Sequence, residues 1–122
     1  MANILFVDDE PLTRKLLIQA AQILGHKGIT ASTQEEALTL ANDLRPDLIV
    51  TDVNLNGKRC LDMIDKLRRA PETQGIPIVT LSASDPEEIQ AEAAARGAVA
   101  SLEKPIRLQT LLEVIRAYAP SS

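Results

Sequence analysis

The chain has 122 residues, the usual length of one domain, which is enough to bury a core without disulfides or structural metals. Its formal net charge is −4 and its aromatic share is 2%, so it has neither the basic runs nor the stacking side chains that direct nucleic-acid binding requires. No run approaches the ~20 apolar residues of a membrane span, and the single Cys60 excludes an internal disulfide.

The chain begins with short apolar runs that alternate with helical patterns. Asn3–Val7 is typical of a strand buried on both faces, and its apolar run is too short for a signal peptide. Together with the lone cysteine, this indicates a cytoplasmic protein. Pro11 suits the first position of a helix, and Gly25 suits its end. A weaker second strand is predicted at Gly28–Ser32.

Four further helices and three further strands are predicted in the rest of the chain. Ser32 and Glu35 fit a capping box for a helix that extends through Leu44 and ends before Pro46. The remaining predicted elements are, in chain order, strand Asp47–Thr51, which ends at Asp52, helix Cys60–Arg69, strand Ile76–Leu81, a helix that Asp85 caps and Gly97 ends, strand Ala98–Leu102 and helix Arg107–Tyr118.

The strict alternation of five strands with five helices predicts one α/β domain over residues 1–122. Right-handed crossovers between parallel strands build a doubly wound sheet with helices on both faces. In such a sheet, ligands bind just beyond the carboxyl ends of the strands. The residues that follow the strands are therefore the candidates for a functional site.

Polar residues follow four of the five predicted strands. Taken singly, an aspartate or a serine at such a place is typical of a helix cap or a turn, and a lysine is typical of solvated surface. Their convergence on one sheet edge is what indicates a site. The residues are Asp8, Asp9 and Glu10 after the first strand, Asp52 after the third, Ser82 and Ser84 after the fourth, and Lys104 after the fifth.

Three aspartates at one sheet edge would repel one another, and a divalent cation would resolve the repulsion. Carboxylate oxygens suit Mg²⁺, which keeps waters and also binds phosphate oxygens. A carboxylate can attack phosphorus to form an acyl phosphate, while a Lys104 ammonium and a serine hydroxyl stabilise the other phosphoryl oxygens. The pattern therefore predicts phosphoryl transfer to Asp52, with Mg²⁺ as cofactor.

Four segments together resemble the receiver domain of two-component response regulators, of which the chemotaxis receiver is the familiar single-domain example. The resemblance covers essentially the whole chain. It implies a flavodoxin-like sheet with strand order 2-1-3-4-5 and a signalling phosphoacceptor that is not an enzyme but assists its own phosphorylation and dephosphorylation. The segments are Ile4-Leu5-Phe6-Val7-Asp8-Asp9-Glu10, Pro46-Asp47-Leu48-Ile49-Val50-Thr51-Asp52, Pro77-Ile78-Val79-Thr80-Leu81-Ser82-Ala83 and Lys104-Pro105.

The resemblance also implies roles for individual residues. Asp52 would accept the phosphoryl group, Asp9 would bind Mg²⁺ directly, and Asp8 would bind it mainly through water. Asn54 would offer its backbone carbonyl to the metal. The other positions are Ser82 and Lys104, which would bind phosphoryl oxygens, Ala83, which would leave room for the group, and Pro105, which would follow a cis peptide bond.

Three residues depart from the family pattern. Asn56 stands where the family usually has Pro, and Cys60 where it usually has Gly. Ser101 stands where the family usually has Tyr or Phe, whose ring moves inward on phosphorylation. Because Ser101 cannot fill that volume, we expect the signal to pass through the loops at 82–85 and 54–59 instead.

The expected partners are a histidine kinase or histidine phosphotransfer protein as donor, and a downstream protein bound at the fourth helix, fifth strand and fifth helix. No DNA-binding segment follows Tyr118, so the expected output is through protein contacts, without nucleic acid or membrane.

Two alternative functions stay open. One is a receiver-fold interaction module that does not switch, which Ser101 favours; the other is a haloacid-dehalogenase-type phosphatase, whose Asp-x-Asp motif differs from the adjacent Asp8 and Asp9.

Overall fold

A five-stranded parallel sheet with helices on both faces forms the fold in the computed structural model, which describes residues 1–83 and 86–120. The strands are β1 (Asn3–Val7), β2 (Lys27–Ala31), β3 (Leu48–Asp52), β4 (Asn54–Leu55), β5 (Lys58–Arg59), β6 (Ile78–Ser82) and β7 (Ala100–Glu103). The helices are α1 (Pro11–Ile23), α2 (Gln34–Leu44), α3 (Asp62–Arg69), α4 (Pro86–Arg96) and α5 (Leu108–Tyr118).

The main sheet has the order β2-β1-β3-β6-β7, and all of its neighbours are parallel. Counted over the five main strands, this is the order 2-1-3-4-5, so the doubly wound α/β fold with five flanking helices is confirmed. Strand β1 pairs on both sides, with Leu5 opposite Ile29 of β2 and Ile49 of β3. The strand order reverses at β1 and β3, and a doubly wound sheet binds its ligands at that point.

Both faces of the sheet are buried, because helices pack on each of them. Helices α1 and α5 cover one face, where Leu17 and Leu111 pack in one core with Phe6. Helices α2, α3 and α4 cover the other face, where Met63 and Ile89 belong to a second core. This double burial explains why the main strands are almost continuously apolar instead of alternating with polar residues.

A short antiparallel hairpin, β4–β5, lies between β3 and α3, where the sequence had indicated only a loop. Its turn is Asn56-Gly57, and both residues have positive φ, +54° and +80°. These values match a type I′ turn, for which Asn-Gly is the preferred pair. The hairpin also moves the start of α3 from the predicted Cys60 to Asp62, because the Cys60 N–H donates to the carbonyl oxygen of Val53 instead.

The N-terminal cap of α2 differs by one residue from the predicted Ser32–Glu35 pair. Thr33 is the cap, and its side chain accepts a hydrogen bond from the Glu36 N–H. The Glu36 carboxylate in turn accepts a hydrogen bond from the Ser32 N–H at 2.8 Å. The predicted cap failed because β2 ends at Ala31, paired with Val7, which leaves Ser32 in the connection before the helix.

Other helix ends follow the sequence signals. Pro11 begins α1, and Gly25 follows its last turn with φ of +77°. Helix α2 ends at Leu44, two residues before Pro46. The predicted cap of α4, Asp85, lies outside the described residues. Within the described part of the chain, no helix has the length and apolar character needed to cross a membrane.

Candidate functional site

The predicted site residues meet at the carboxyl edge of the sheet, beyond four neighbouring strands. Asp8 and Asp9 follow β1, Asp52 is the last residue of β3, Ser82 is the last residue of β6, and Lys104 follows β7. The parallel arrangement alone requires this convergence, because all four strands end at the same edge.

Lys104 lies between two of the aspartates. Its Nζ is 2.7 Å from Asp52 Oδ2, which accepts a hydrogen bond, and 2.9 Å from Asp8 Oδ2. The side chains of Asp8 and Asp52 are 0% and 8% exposed, and that of Lys104 is 19% exposed. The ion pairs are therefore formed largely out of water, where charges interact more strongly than at an exposed surface.

Two hydrogen bonds fix the position of Asp8. Its Oδ1 accepts a hydrogen bond from the Glu10 N–H at 2.9 Å, and its carbonyl oxygen accepts one from Arg14 Nη1 at 2.8 Å. Its Oδ2 is buried and accepts no hydrogen bond from any described residue, although it lies at ion-pair distance from Lys104. The Lys104 ammonium beside this oxygen is shared with Asp52, so a bound cation would add charge compensation at a buried carboxylate.

The three aspartates fit a metal ion. Asp8, Asp9 and Asp52 each offer a carboxylate oxygen, and these oxygens all lie within 4.8 Å of one another. One ammonium group cannot neutralise three carboxylates, and hard oxygen ligands favour Mg²⁺. Asn54 is also at the site, where its N–H donates to Asp52 Oδ1 at 2.9 Å.

The electrostatic surroundings shift the pKa values of Asp52 and Lys104 upward. Burial raises the pKa of Asp52, and the hydrogen bonds from Lys104 and from the Asn54 N–H offset this only in part. Burial alone would lower the pKa of Lys104, but its hydrogen bond with Asp52 and its charge interactions with Asp52 and Asp8 raise it above its ordinary value. The amine of Lys104 is thus a firmly charged ammonium at neutral pH.

The remaining predicted site residues surround this centre. Ser82 is buried, and its carbonyl oxygen accepts a hydrogen bond from the Lys104 N–H at 2.8 Å, so the ends of β6 and β7 are held together. Ala83 is exposed beside it. The Lys104–Pro105 peptide bond is cis, as the resemblance implied. Ser84 lies outside the described residues.

Sequence reasoning missed the contribution of Asn56. Its backbone N–H donates to Asp9 Oδ2 at 2.9 Å, so the hairpin turn reaches back to the acidic cluster. The Asn-Gly pair at 56 and 57 was the available signal for a tight turn. No sequence signal indicates which side chain such a turn contacts.

An open cavity of about 530 Å³ lies beside Lys104, between the start of α1 and the turn after β7. Much of its lining is apolar, and Leu12 within it is 79% exposed. The cavity therefore places exposed apolar surface directly beside the charged centre. The full lining is Glu10, Leu12, Thr13, Leu16, Ala83, Lys104, Pro105 and Ile106.

Comparison with known proteins gives a consistent result. The chain matches the response regulator receiver domain over residues 4–116. It is 30% identical over 117 residues to protein PilH of Pseudomonas aeruginosa, covering 96% of this chain and 97% of PilH. It is 36% identical over 117 residues to the positive alginate biosynthesis regulatory protein of that organism, covering 93% of this chain and 46% of that protein.

Solved structures agree with these relatives. The chemotaxis response regulator CheY4 of Vibrio cholerae has a TM-score of 0.89 and 30% identity, covering 97% of this chain and 98% of CheY4. The chain thus spans nearly all of PilH and CheY4 but about half of the alginate regulator. Receiver domains are phosphoacceptor signalling domains, not classical enzymes, and they bind Mg²⁺ in an acidic pocket. On this evidence the chain belongs to the family of response regulator receiver domains.

Proposed function

We propose that Asp52 is the phosphoacceptor of this chain and that residues 1–122 form one receiver domain. The observation that carries the proposal is the position of Asp52 at the end of β3, with Oδ2 2.7 Å from the Lys104 ammonium. A carboxylate oxygen of Asp52 attacks the phosphorus of a phosphohistidine. The P–N bond breaks, the imidazole leaves with the electron pair, and an aspartyl phosphate forms.

The surrounding residues stabilise the charge that moves in this reaction. The Lys104 ammonium binds one phosphoryl oxygen, and the Ser82 hydroxyl donates a hydrogen bond to another. The small Ala83 leaves room for the incoming group. Lys104 changes its partner in this step, from the Asp52 carboxylate to the phosphoryl group that Asp52 acquires.

Asp8, Asp9, Asp52 and the backbone carbonyl of Asn54 are the proposed ligands of Mg²⁺. When bound, the metal neutralises negative charge on the phosphoryl oxygens. The buried Oδ2 of Asp8, which accepts no hydrogen bond from the described residues and shares the Lys104 ammonium with Asp52, supports this assignment. The same residues would assist hydrolysis of the aspartyl phosphate, since they stabilise the same charge when water is the acceptor.

The proposed partners are a histidine kinase or histidine phosphotransfer protein and a downstream target protein in the cytoplasm. The donor would reach Asp52 over the cavity beside Lys104, where Leu12 and Pro105 offer apolar contact. Phosphorylation would then shift the chain between two conformations and so change a protein-binding surface. No nucleic-acid or membrane contact is part of this proposal.

Incubation with acetyl phosphate and Mg²⁺, followed by intact mass measurement, tests the proposal. We expect the wild-type chain to gain one phosphoryl group only when Mg²⁺ is present, and Asp52→Asn to gain none. A parallel NMR titration with beryllofluoride and Mg²⁺ covers the case of a chain that does not use small donors. If neither reagent acts on the wild-type chain, a receiver-fold interaction module without switching becomes the better account.

A further inference from the structure

The turn of the β4–β5 hairpin makes a contact that the proposed reaction does not use. The backbone N–H of Asn56 donates to Asp9 Oδ2 at 2.9 Å. Two residues earlier, the backbone N–H of Asn54 donates to Asp52 Oδ1, also at 2.9 Å. One short segment therefore holds two of the three clustered carboxylates through its backbone.

The conformation of the turn is what makes the contact with Asp9 possible. Asn56 has φ of +54° and Gly57 has φ of +80°, a geometry that asparagine and glycine adopt more easily than other residues. A proline at position 56 would have φ fixed at about −65° and would carry no N–H. The bond to Asp9 therefore requires at position 56 a residue that has an N–H and tolerates positive φ, as asparagine does.

The rest of the fold anchors this turn. Asn56 Nδ2 donates to the carbonyl oxygen of Ser32 at 3.3 Å, in the connection between β2 and α2. Leu55 is buried in the core, and the Cys60 N–H donates to the Val53 carbonyl oxygen at the base of the hairpin. The turn is thus tied to two separate parts of the molecule, so its N–H has a defined position.

We infer that the Asn56-Gly57 turn is a positioning element for Asp9 and that Asn56 sets the Mg²⁺ affinity of the site. This inference rests on the proposed function, in which Asp9 is a metal ligand. Asp9 is the most exposed of the three aspartates, so its side chain loses the most conformational freedom when it binds a metal. A hydrogen bond that orients this ligand before the metal binds reduces the entropy cost of binding.

The hydrogen bond itself can be tested without metal. We would measure amide hydrogen exchange by NMR in EDTA for the wild-type chain and for Asp9→Ala. Loss of the acceptor should accelerate exchange of the Asn56 amide by about tenfold, while the Asn54 amide, which binds Asp52, serves as internal control. An unchanged rate at Asn56 would overturn the inference.

The effect on the metal is tested with one turn variant and one control variant outside the turn. Asn56→Gly keeps the N–H and the left-handed backbone but removes the bond to Ser32. Asn42→Ala removes an amide of the same kind from an exposed position of α2, outside the turn, and is the control. We expect Asn56→Gly to raise the Kd for Mg²⁺ about threefold and Asn42→Ala to leave it unchanged, measured by NMR titration.

The outcomes separate this inference from the proposed function. Equal Kd values for Asn56→Gly and Asn42→Ala, with Mg²⁺ binding by the wild-type chain, would overturn the inference alone. Absence of Mg²⁺ binding by the wild-type chain would overturn the proposed metal site and the inference together.

Discussion

Thr80 of β6 and Ser101 of β7 stand directly opposite each other, and their hydroxyl oxygens are 2.7 Å apart. Thr80 is fully buried, and it lies two residues before Ser82, so both side chains emerge on the same face of β6. The resemblance had implied an aromatic ring at position 101. The hydroxyl of Ser101 instead forms a hydrogen bond with the buried Thr80.

The hydrogen bond between Thr80 and Ser101 should contribute to the stability of the chain. Ser101→Ala should lower the free energy of unfolding by about 1 kcal/mol, because it leaves the buried Thr80 hydroxyl without this partner. Adding Thr80→Val should recover most of that loss, since both polar groups are then gone. Urea unfolding of the two single variants and the double variant measures the coupling, and additive losses would show that the hydroxyls do not interact.

Asp52→Asn should stabilise the metal-free chain at neutral pH. Burial raises the pKa of Asp52 in the folded chain, so folding favours the neutral carboxyl group over the carboxylate. The stability that this preference contributes is fully present below the unfolded pKa of about 4, and it is lost as the pH rises through the folded pKa. At pH 7 in EDTA we expect the variant to gain about 1 kcal/mol in unfolding free energy, and the gain should shrink toward pH 4. Asp43→Asn, at an exposed position of α2, is the control; an Asp52→Asn variant less stable than wild type at pH 7 would contradict the account.

Lys104→Met should separate metal binding from phosphorylation. The ammonium lies 2.9 Å from Asp8 and 2.7 Å from Asp52 and so competes with a cation for their charge. Its removal should tighten Mg²⁺ binding by about tenfold, yet slow phosphorylation by acetyl phosphate by about 100-fold. Lys27→Met, at the opposite edge of the sheet, should change neither; weaker Mg²⁺ binding by Lys104→Met would show that the lysine does not compete.

Leu12→Glu should impair transfer from a protein donor while sparing a small one. Leu12 is 79% exposed beside the Lys104 cavity, so a protein donor would bury it. We expect the rate of transfer from a phosphorylated histidine phosphotransfer protein that is active on the wild-type chain to fall about tenfold. Transfer from acetyl phosphate should be unchanged. Ile23→Glu, at the far end of α1, is the matched control, and equal effects of both variants would exclude a specific role for Leu12.

Most of the fold could be predicted because its signals are local. The apolar runs of β1 and β3 indicate strands buried on both faces, and Pro11 and Pro46 mark helix boundaries. The β4–β5 hairpin was missed because strands of two residues carry no periodicity. The cap of α2 was misplaced because Ser32 and Thr33 suit a cap equally well, and only the pairing of β2 with β1 decides between them.

The site could be predicted because strand order brings distant residues to one edge. What the sequence could not give is the pairing of side chains within that edge. The placement of Lys104 between Asp8 and Asp52 depends on side-chain rotamers, and the Asn56 bond to Asp9 comes from a backbone N–H, which every residue except proline carries. Sequence therefore predicts the members of the site better than its contacts.

The most direct test of the central claim is chemical identification of the phosphorylated residue. After treatment with acetyl phosphate and Mg²⁺, borohydride would reduce an aspartyl phosphate to homoserine, and peptide mass spectrometry would locate the change. We predict homoserine at position 52 and unmodified Asp8 and Asp9. Homoserine at Asp8 or Asp9 in place of Asp52 would contradict the assignment of Asp52 as phosphoacceptor.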